Sequence, residues 1–164
     1  MYVREHAAWR RQRLEGLKAP QGWLRLAGLL WLEPGLNTLG SAADSDVRFP
    51  EGAPDRIGTV TVADGRHVLA LAEGIQGTLG GRPFVAGRLT TDADPTVPTD
   101  LIELGRFSFK IILRGGRAAV RLYDDQAASL TGFQGIEAFP LDRAWRVEAR
   151  YERFDPPRIV EVST

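Results

Sequence analysis

The stretch GWLRLAGLLWLEPGLNTLGSAADSDVRFP, residues 22–50, decides the fold class. Its apolar first part meets a turn signal at Glu33-Pro34-Gly35, and the chain then continues to a break at Gly40-Ser41. Pro34 presets φ for the first corner position of a turn, and Gly35 accepts positive φ at the second. A polar loop follows the break. This succession predicts an all-β domain.

Further strand candidates follow Pro20 at intervals of about eight to twelve residues, the spacing of a β-sandwich or barrel. Two of them are joined by Asp64-Gly65 and two by Gly115-Gly116, dipeptides typical of tight hairpin turns. In the second hairpin, apolar and polar residues alternate, which predicts one buried and one exposed face. We therefore predict an antiparallel β-sandwich over residues 20–164. The candidate strands are 58–62, 67–72, 84–85, 101–104 and the hairpin 107–124.

Residues 1–19 precede the sandwich and show helical periodicity from Tyr2 to Lys18, with Ala19-Pro20 ending the helix. Arginines cover much of its surface, so a helix that binds a membrane or a partner is one interpretation. The other is a helix that packs on the sheet through Trp9 and its leucines while its arginines are solvated. We favour the second because the chain carries no net charge.

The last part of the chain carries one more alternating segment, in which Trp145, Val147 and Tyr151 share a parity. This pattern predicts a strand with one buried face. Pro156-Pro157 precedes a final strand candidate, 158–162. A chain that stops in a strand with no closing element suggests a C-terminal truncation, or a neighbouring strand from another molecule. A homodimer formed through an open edge strand is therefore one expectation.

Composition and charge exclude several classes of protein. The 164 residues suit one domain, and 21 lysine and arginine residues balance 21 aspartate and glutamate residues, so neither nucleic acid nor a membrane is expected as a partner. The chain has no cysteine, which excludes disulfides and thiolate chemistry. Because the sequence has no secretory signal and no apolar run of membrane length, we predict a cytoplasmic protein.

No motif predicts a metal site, a cofactor or a catalytic nucleophile. The pairs Asp44/Asp46 and Asp92/Asp94 could supply oxygen ligands to a cation, but neither continues into a calcium loop, so turn and cap roles are favoured. The two histidines lie far apart without a zinc motif, and His67 has the parity of the leucines in its strand, which favours partial burial over a role as a general base. A phosphate loop and a nucleophile elbow are also missing.

One further polar cluster belongs to the Gly-Gly hairpin. Arg114, Arg121 and Asp124 could together bind a carboxylate or a phosphate, since arginine donates paired charge-assisted hydrogen bonds to such groups. A structural ion pair between Arg121 and Asp124 is favoured, because opposite charges across strands are common in sheets. Trp23 and Trp31 could line a ligand groove, although a role in anchoring the helix to the sandwich is favoured.

Four stretches between Gly35 and Asp124 follow one another along the chain: NTLGS at 37–41, SDVRFP at 45–50, GTLGGR at 77–82 and IELGRFSF at 102–109. In their order they resemble the motifs of the forkhead-associated (FHA) domain, a β-sandwich family that binds phosphothreonine. The resemblance implies an FHA-like antiparallel β-sandwich.

The FHA resemblance also implies where a phosphate would bind, and this sequence departs from the family at each such position. Ser41 stands where the family has an arginine, PDRIG at 54–58 replaces a Ser-x-x-His motif, and Gly80 replaces an asparagine. The implied pocket is therefore degenerate. Arg56 or Arg82 would have to take the place of the missing arginine, whose planar fork suits phosphate.

A second set of motifs extends over nearly the whole chain: GWLRLAGLLWL at 22–32 followed by PG-x-N at 34–37, ILRGGR at 112–117, VRLYD at 120–124, and FQG at 133–135 leading to FP at 139–140. These motifs resemble the N-terminal half of the domain-of-unknown-function 1684 family, an uncharacterised family of bacteria and archaea. The resemblance implies no reaction, because that family has no established activity, and it implies a further C-terminal segment in its members.

The sequence predicts a non-enzymatic binding module of FHA-like type with a degenerate phosphothreonine pocket. Its surface is expected where loops 40–46, 54–58 and 80–82 meet at one end of the sandwich, with a protein or peptide as partner. The alternative is an enzyme or small-ligand-binding protein whose site is completed by a C-terminal segment. The candidate binding residues are Ser41, Arg56, Arg82, Arg114, Arg121 and Asp124.

Overall fold

The computed structural model describes residues 2–160, and its strands form a six-stranded and a five-stranded sheet. Buried apolar side chains from both sheets make one continuous core between them. The strands are β1 (Leu26–Trp31), β2 (Gly35–Gly40), β3 (Val47–Arg48), β4 (Gly58–Ala63), β5 (Arg66–Leu71), β6 (Gly77–Leu79), β7 (Arg82–Phe84), β8 (Ala86–Arg88), β9 (Ile102–Leu104), β10 (Phe107–Arg114) and β11 (Arg117–Asp124).

The sheet topology confirms the predicted two-layered β architecture. The six-stranded sheet has the order β1-β11-β10-β9-β6-β7, and the five-stranded sheet has the order β3-β2-β4-β5-β8. The strand pairs are antiparallel except for β2 and β3, which are parallel. The turn at Pro34-Gly35 does not close a hairpin, because β1 pairs with β11 and β2 pairs with β4. It carries the chain from one sheet to the other.

Both predicted hairpins are confirmed, and their turns have the expected backbone. Asp64 and Gly65 have φ of 48° and 68°, and Gly115 and Gly116 have φ of 56° and 79°. These are the positive values of primed two-residue turns, whose twist matches that of the flanking strands. The candidate strand 84–85 is wrong in its bounds, since β7 ends at Phe84 and β8 begins two residues later.

The core is built around the long hairpin. Phe109 is completely buried, and its ring meets that of Phe49 from the other layer edge-on, with centroids 5.7 Å apart. Edge-to-face packing of this kind adds about 0.5–1.5 kcal/mol to the stability gained from burial alone. The other residues with the largest fully buried side chains are Leu39, Ile57, Leu69, Ile102, Ile111, Ile112, Leu122, Val47, Val60 and Val120.

The N-terminal helix α1 spans Tyr2–Lys18, as predicted, but its predicted packing on the sheet is wrong. None of its residues is buried, and Trp9 is 54% exposed. The helix instead lies beside the C-terminal part of the chain, where Arg10 donates a hydrogen bond of 3.1 Å to the carbonyl oxygen of Ile136. Within the described range, no helix has both the length and the apolarity needed to cross a bilayer.

The two tryptophans of the segment 22–32 also do not anchor the helix in the core. Trp23 lies in a 3-10 turn, Trp23–Arg25, and is 71% exposed. Trp31, at the end of β1, is 41% exposed and is covered by the guanidinium of Arg117, 4.6 Å from the ring centroid.

The predicted strand at Trp145–Tyr151 is wrong. After β11 the described chain forms only a short helix α2, Ala128–Thr131, and a 3-10 turn, Arg143–Trp145. The alternating apolar side chains find no partner strand, and Tyr151 is 89% exposed. The candidate strand 158–162 is not formed at 158–160, and its remaining part lies outside the described residues. The homodimer through an edge strand stays a prediction.

Candidate functional site

Two polar loops meet at one end of the sandwich, and we call this surface the loop end. The loops connect β2 to β3 and β3 to β4. They are held together by backbone hydrogen bonds, from the amide of Ser41 to the carbonyl of Pro54 (3.0 Å) and from that of Ile57 to Leu39 (2.8 Å). Gly40 makes this approach possible, because a Cβ at this position would overlap the carbonyl oxygen of Asp55.

Side chains reinforce the loop end from both layers. The hydroxyl of Ser41 donates to the carbonyl of Ala53 at 2.9 Å and lies 3.1 Å from the carboxylate of Asp55. From the turn between β9 and β10, Arg106 donates to the carbonyl of Glu51 at 2.7 Å and pairs with Asp124, with the nearest atoms 3.3 Å apart. These contacts hold the two loops in one arrangement.

The loop end contains an open concavity of about 670 Å³. Pro50 contributes apolar surface to it, and the charged residues Arg48, Glu51 and Asp55 stand around it. Its volume falls in the range typical of ligand sites, and its mixture of one cation and two carboxylates makes it weakly acidic.

The structure brings Ser41 and Arg56 to the loop end, as predicted, but commits Arg56 to a neighbour. The guanidinium of Arg56 forms an ion pair with the carboxylate of Asp44. The same hydrogen bond lowers the pKa of Asp44. Because both side chains are exposed, the pair contributes little to stability. Its geometry nevertheless places a carboxylate next to the arginine that would have to hold a phosphate.

Arg82 does not belong to the loop end, so the predicted surface is wrong in this part. β6 starts at Gly77 next to the loop end and leads away from it, and the turn Gly80-Gly81 lies at its far end. Arg82 follows this turn on the edge strand β7 and is exposed. The prediction failed because the motif order along the chain does not tell at which end of a short strand a turn lies.

The predicted cluster of Arg114, Arg121 and Asp124 is also separated. Arg114 lies at the turn end of the hairpin, where it pairs with Asp92 at 2.7 Å, whereas Asp124 ends β11 at the loop end. Asp124 pairs with Arg106, so the favoured ion pair between Arg121 and Asp124 is wrong as well. Arg121 stands between the two ends, opposite Lys110 of β10.

Asp94 serves as a turn residue, as predicted, whereas the other paired aspartates, Asp44, Asp46 and Asp92, bind residues eight or more positions away. Asp46 accepts hydrogen bonds from the hydroxyl and the amide of Thr38, at 2.6 and 2.8 Å, and these bonds lower its pKa. Asp94 accepts the same pair of bonds from Thr96, which lower its pKa in turn. Among residues 2–160, no group of three or more His, Cys, Asp or Glu side chains is placed to hold a metal ion.

Sequence reasoning missed Arg106, Lys110 and Gln21. Arg106 could not be recognised, because its contacts to Glu51 and Asp124 join distant parts of the chain. Lys110 left a readable signal: the Gly-Gly turn fixes the hairpin register, which places Lys110 directly opposite Arg121. Like charges at directly opposed positions destabilise a sheet, so this pair is unusual.

No family model matches the chain, and no curated protein matches it. Among solved structures, the FhaA FHA domain in complex with the intracellular domain of Rv3910 is similar, with 20% identity, 56% of this chain and 82% of that chain covered, and a TM-score of 0.38. The FHA-2 domain of the Mycobacterium tuberculosis ABC transporter Rv1747 is similar with 24% identity, 59% and 82% coverage, and a TM-score of 0.39.

Proposed function

We propose that the sandwich is a non-enzymatic binding module of FHA-like type, whose loop end docks an extended segment of a partner protein. The observation that carries this proposal is the concavity of about 670 Å³ between loops that are already fixed by hydrogen bonds. Loops that are held rigid by a sandwich lose little conformational entropy when they bind.

The chemistry of the concavity favours an unphosphorylated, neutral or basic segment. Glu51 and Asp55 outnumber Arg48 along its walls, and Asp44 occupies the guanidinium of Arg56. A phosphate would need a free arginine fork and would be repelled by these carboxylates. This argument supports a degenerate phosphothreonine pocket.

Selection of peptides from a random display library against the protein tests the proposal. The selected segments are expected to bind Glu51→Lys about tenfold more weakly, because the charge reversal repels a basic segment. Glu15→Lys on α1 is the matched control, with the same change of charge far along the chain from the loops, and should alter affinity by less than about twofold. Affinities can be measured by fluorescence anisotropy.

A phosphopeptide array provides the opposite outcome. Phosphorylation of threonine within the selected segments is expected to weaken binding. Saturable, phosphate-dependent binding that Arg56→Ala abolishes would instead show that the pocket still recognises phosphothreonine, and the proposal of a degenerate pocket would then be wrong.

Membership of the domain-of-unknown-function 1684 family stays a prediction. So does the alternative of an enzyme or small-ligand-binding protein completed by a C-terminal segment.

A further inference from the structure

A second, smaller pocket lies on the outer face of the six-stranded sheet. It supports an inference that is separate from the docking function proposed above. The segment that joins α1 to β1 runs over β11 here, so Tyr123 is 3% exposed although it points away from the core. A pocket of about 90 Å³ remains between them, lined by Gln21, Trp23, Arg121 and Tyr123 among others.

Arg121 lines this pocket and Lys110 is its cross-strand neighbour, so two cations stand together in an arrangement that is unfavourable on its own. Lys110 and Arg121 are direct cross-strand neighbours on the same face of the hairpin, and both are half-buried. Burial lowers the pKa of Lys110, and the charge of Arg121 lowers it further. Like charges at directly opposed positions destabilise a sheet.

The surroundings do not neutralise this pair. The ion pairs among the described residues involve neither Lys110 nor Arg121. The side-chain partner of Lys110 is the neutral amide oxygen of Gln21, at 2.9 Å. Asp92 is the carboxylate that attracts Lys110 from nearby, and it is held by Arg114 at 2.7 Å and by the amide of Leu113 at 2.8 Å.

The remaining groups of the pocket suit an anion with a small organic part. Burial raises the pKa of Tyr123, with Arg121 opposing the rise, so the hydroxyl stays protonated at neutral pH and can donate a hydrogen bond. The ammonium of Lys110 lies 5.9 Å from the centre of the Tyr123 ring. Trp23 presents its indole at the rim, 71% exposed, where it can cover a planar group.

We propose that this pocket binds the oxyanion group, carboxylate or phosphate, of a small molecule, with Arg121 and Lys110 as the charged donors. A bound oxyanion would convert two repelling cations into two charge-assisted hydrogen-bond donors. The volume of about 90 Å³ is well below that of sites for drug-sized ligands, so the pocket takes the anionic group and leaves the rest of the molecule at the rim. The proposal does not depend on the loop end.

Titration of the full chain with sodium phosphate and, separately, with sodium acetate tests it, with sodium chloride at matched ionic strength as the reference. Binding should raise Tm and shift the amide resonances of Gln21, Lys110 and Arg121 in NMR spectra. A larger effect of phosphate assigns a phosphorylated ligand, and a larger effect of acetate assigns a carboxylic acid. An effect no greater than that of chloride would overturn the proposal.

Variants separate binding from a structural role. Arg121→Gln should weaken binding of the effective anion by about tenfold or more, while its Tm without anion stays equal to or above that of the unaltered protein, because the repulsion is relieved. Lys110→Gln should behave in the same way and serves if Arg121→Gln does not fold. Arg66→Gln, which removes the same charge from the other sheet, should leave binding unchanged. A lower Tm of both pocket variants with the anion response retained would show that the cations are structural.

Discussion

Two segments of this chain carry the same alternation of apolar and polar residues and have opposite structures. In the hairpin, Phe107 and Phe109 are 3% and 0% exposed, and their strand is paired on both sides. In the segment 145–151, Trp145 and Tyr151 are 74% and 89% exposed, and no strand forms.

The difference lies in the availability of backbone partners. The turn at Gly115-Gly116 places β11 next to β10 within a few residues, so each strand satisfies the amides and carbonyls of the other. The segment 145–151 is followed by Phe154 and Pro156-Pro157, which supply no such turn. Alternation therefore predicts which face a strand would bury, but a strand forms only where a neighbour is within reach.

The largest expected effect is a loss of stability, and it is tested by comparing one aromatic residue of the hairpin with one of the segment 145–151. Phe109→Ala should lower the free energy of unfolding by about 3–5 kcal/mol, because it leaves a cavity between β10 and Phe49. Tyr151→Ala should change it by less than about 0.5 kcal/mol, since the ring is exposed. Urea denaturation followed by circular dichroism measures both. Equal losses would mean that residues 145–151 are packed.

A smaller effect is expected where two loops, rather than two strands, approach each other. Gly40→Ala should destabilise the protein by about 1–3 kcal/mol, because the added methyl group meets the carbonyl of Asp55 and forces the loops apart. Gly16→Ala in α1 is the control, since no atom beyond the neighbouring backbone of its own helix lies within 4 Å of the added Cβ, and it should stabilise the helix by up to about 1 kcal/mol. Thermal unfolding distinguishes them. An unchanged Tm for Gly40→Ala would contradict the close packing of the loop end.

The smallest expected effect is the pH dependence of stability that His67 of β5 contributes. Burial, together with the charge of Arg88, lowers the pKa of His67 in the folded protein. The unfolded chain therefore binds a proton more readily, and stability should fall as the pH drops below about 6.5 and continue to fall until the folded-state pKa is passed. His67→Gln should flatten this part of the curve. A profile that is identical in both proteins would show that His67 is not the group responsible.

The candidate site is predictable from the sequence only where the order of motifs indicates it. The FHA resemblance places loops 40–46 and 54–58, with Ser41 and Arg56, at one end of the sandwich. Arg114 and Asp124 are close in sequence but lie at opposite ends of the hairpin. The two ends of an eight-residue strand are about 25 Å apart. Gln21 and Arg106 act across distances along the chain that no local pattern encodes.

By itself the sequence determined the bounds of α1, the two tight hairpins and the faces that they bury, because helix stop signals and two-residue turns act over a few neighbouring residues. Only the tertiary structure decided that β1 and β2 belong to different sheets, that residues 145–151 stay unpaired, and that Gln21 accepts a hydrogen bond from Lys110. These features depend on which distant surfaces meet. That choice is made by the total area buried and by the backbone partners available, and no single stretch of chain specifies either.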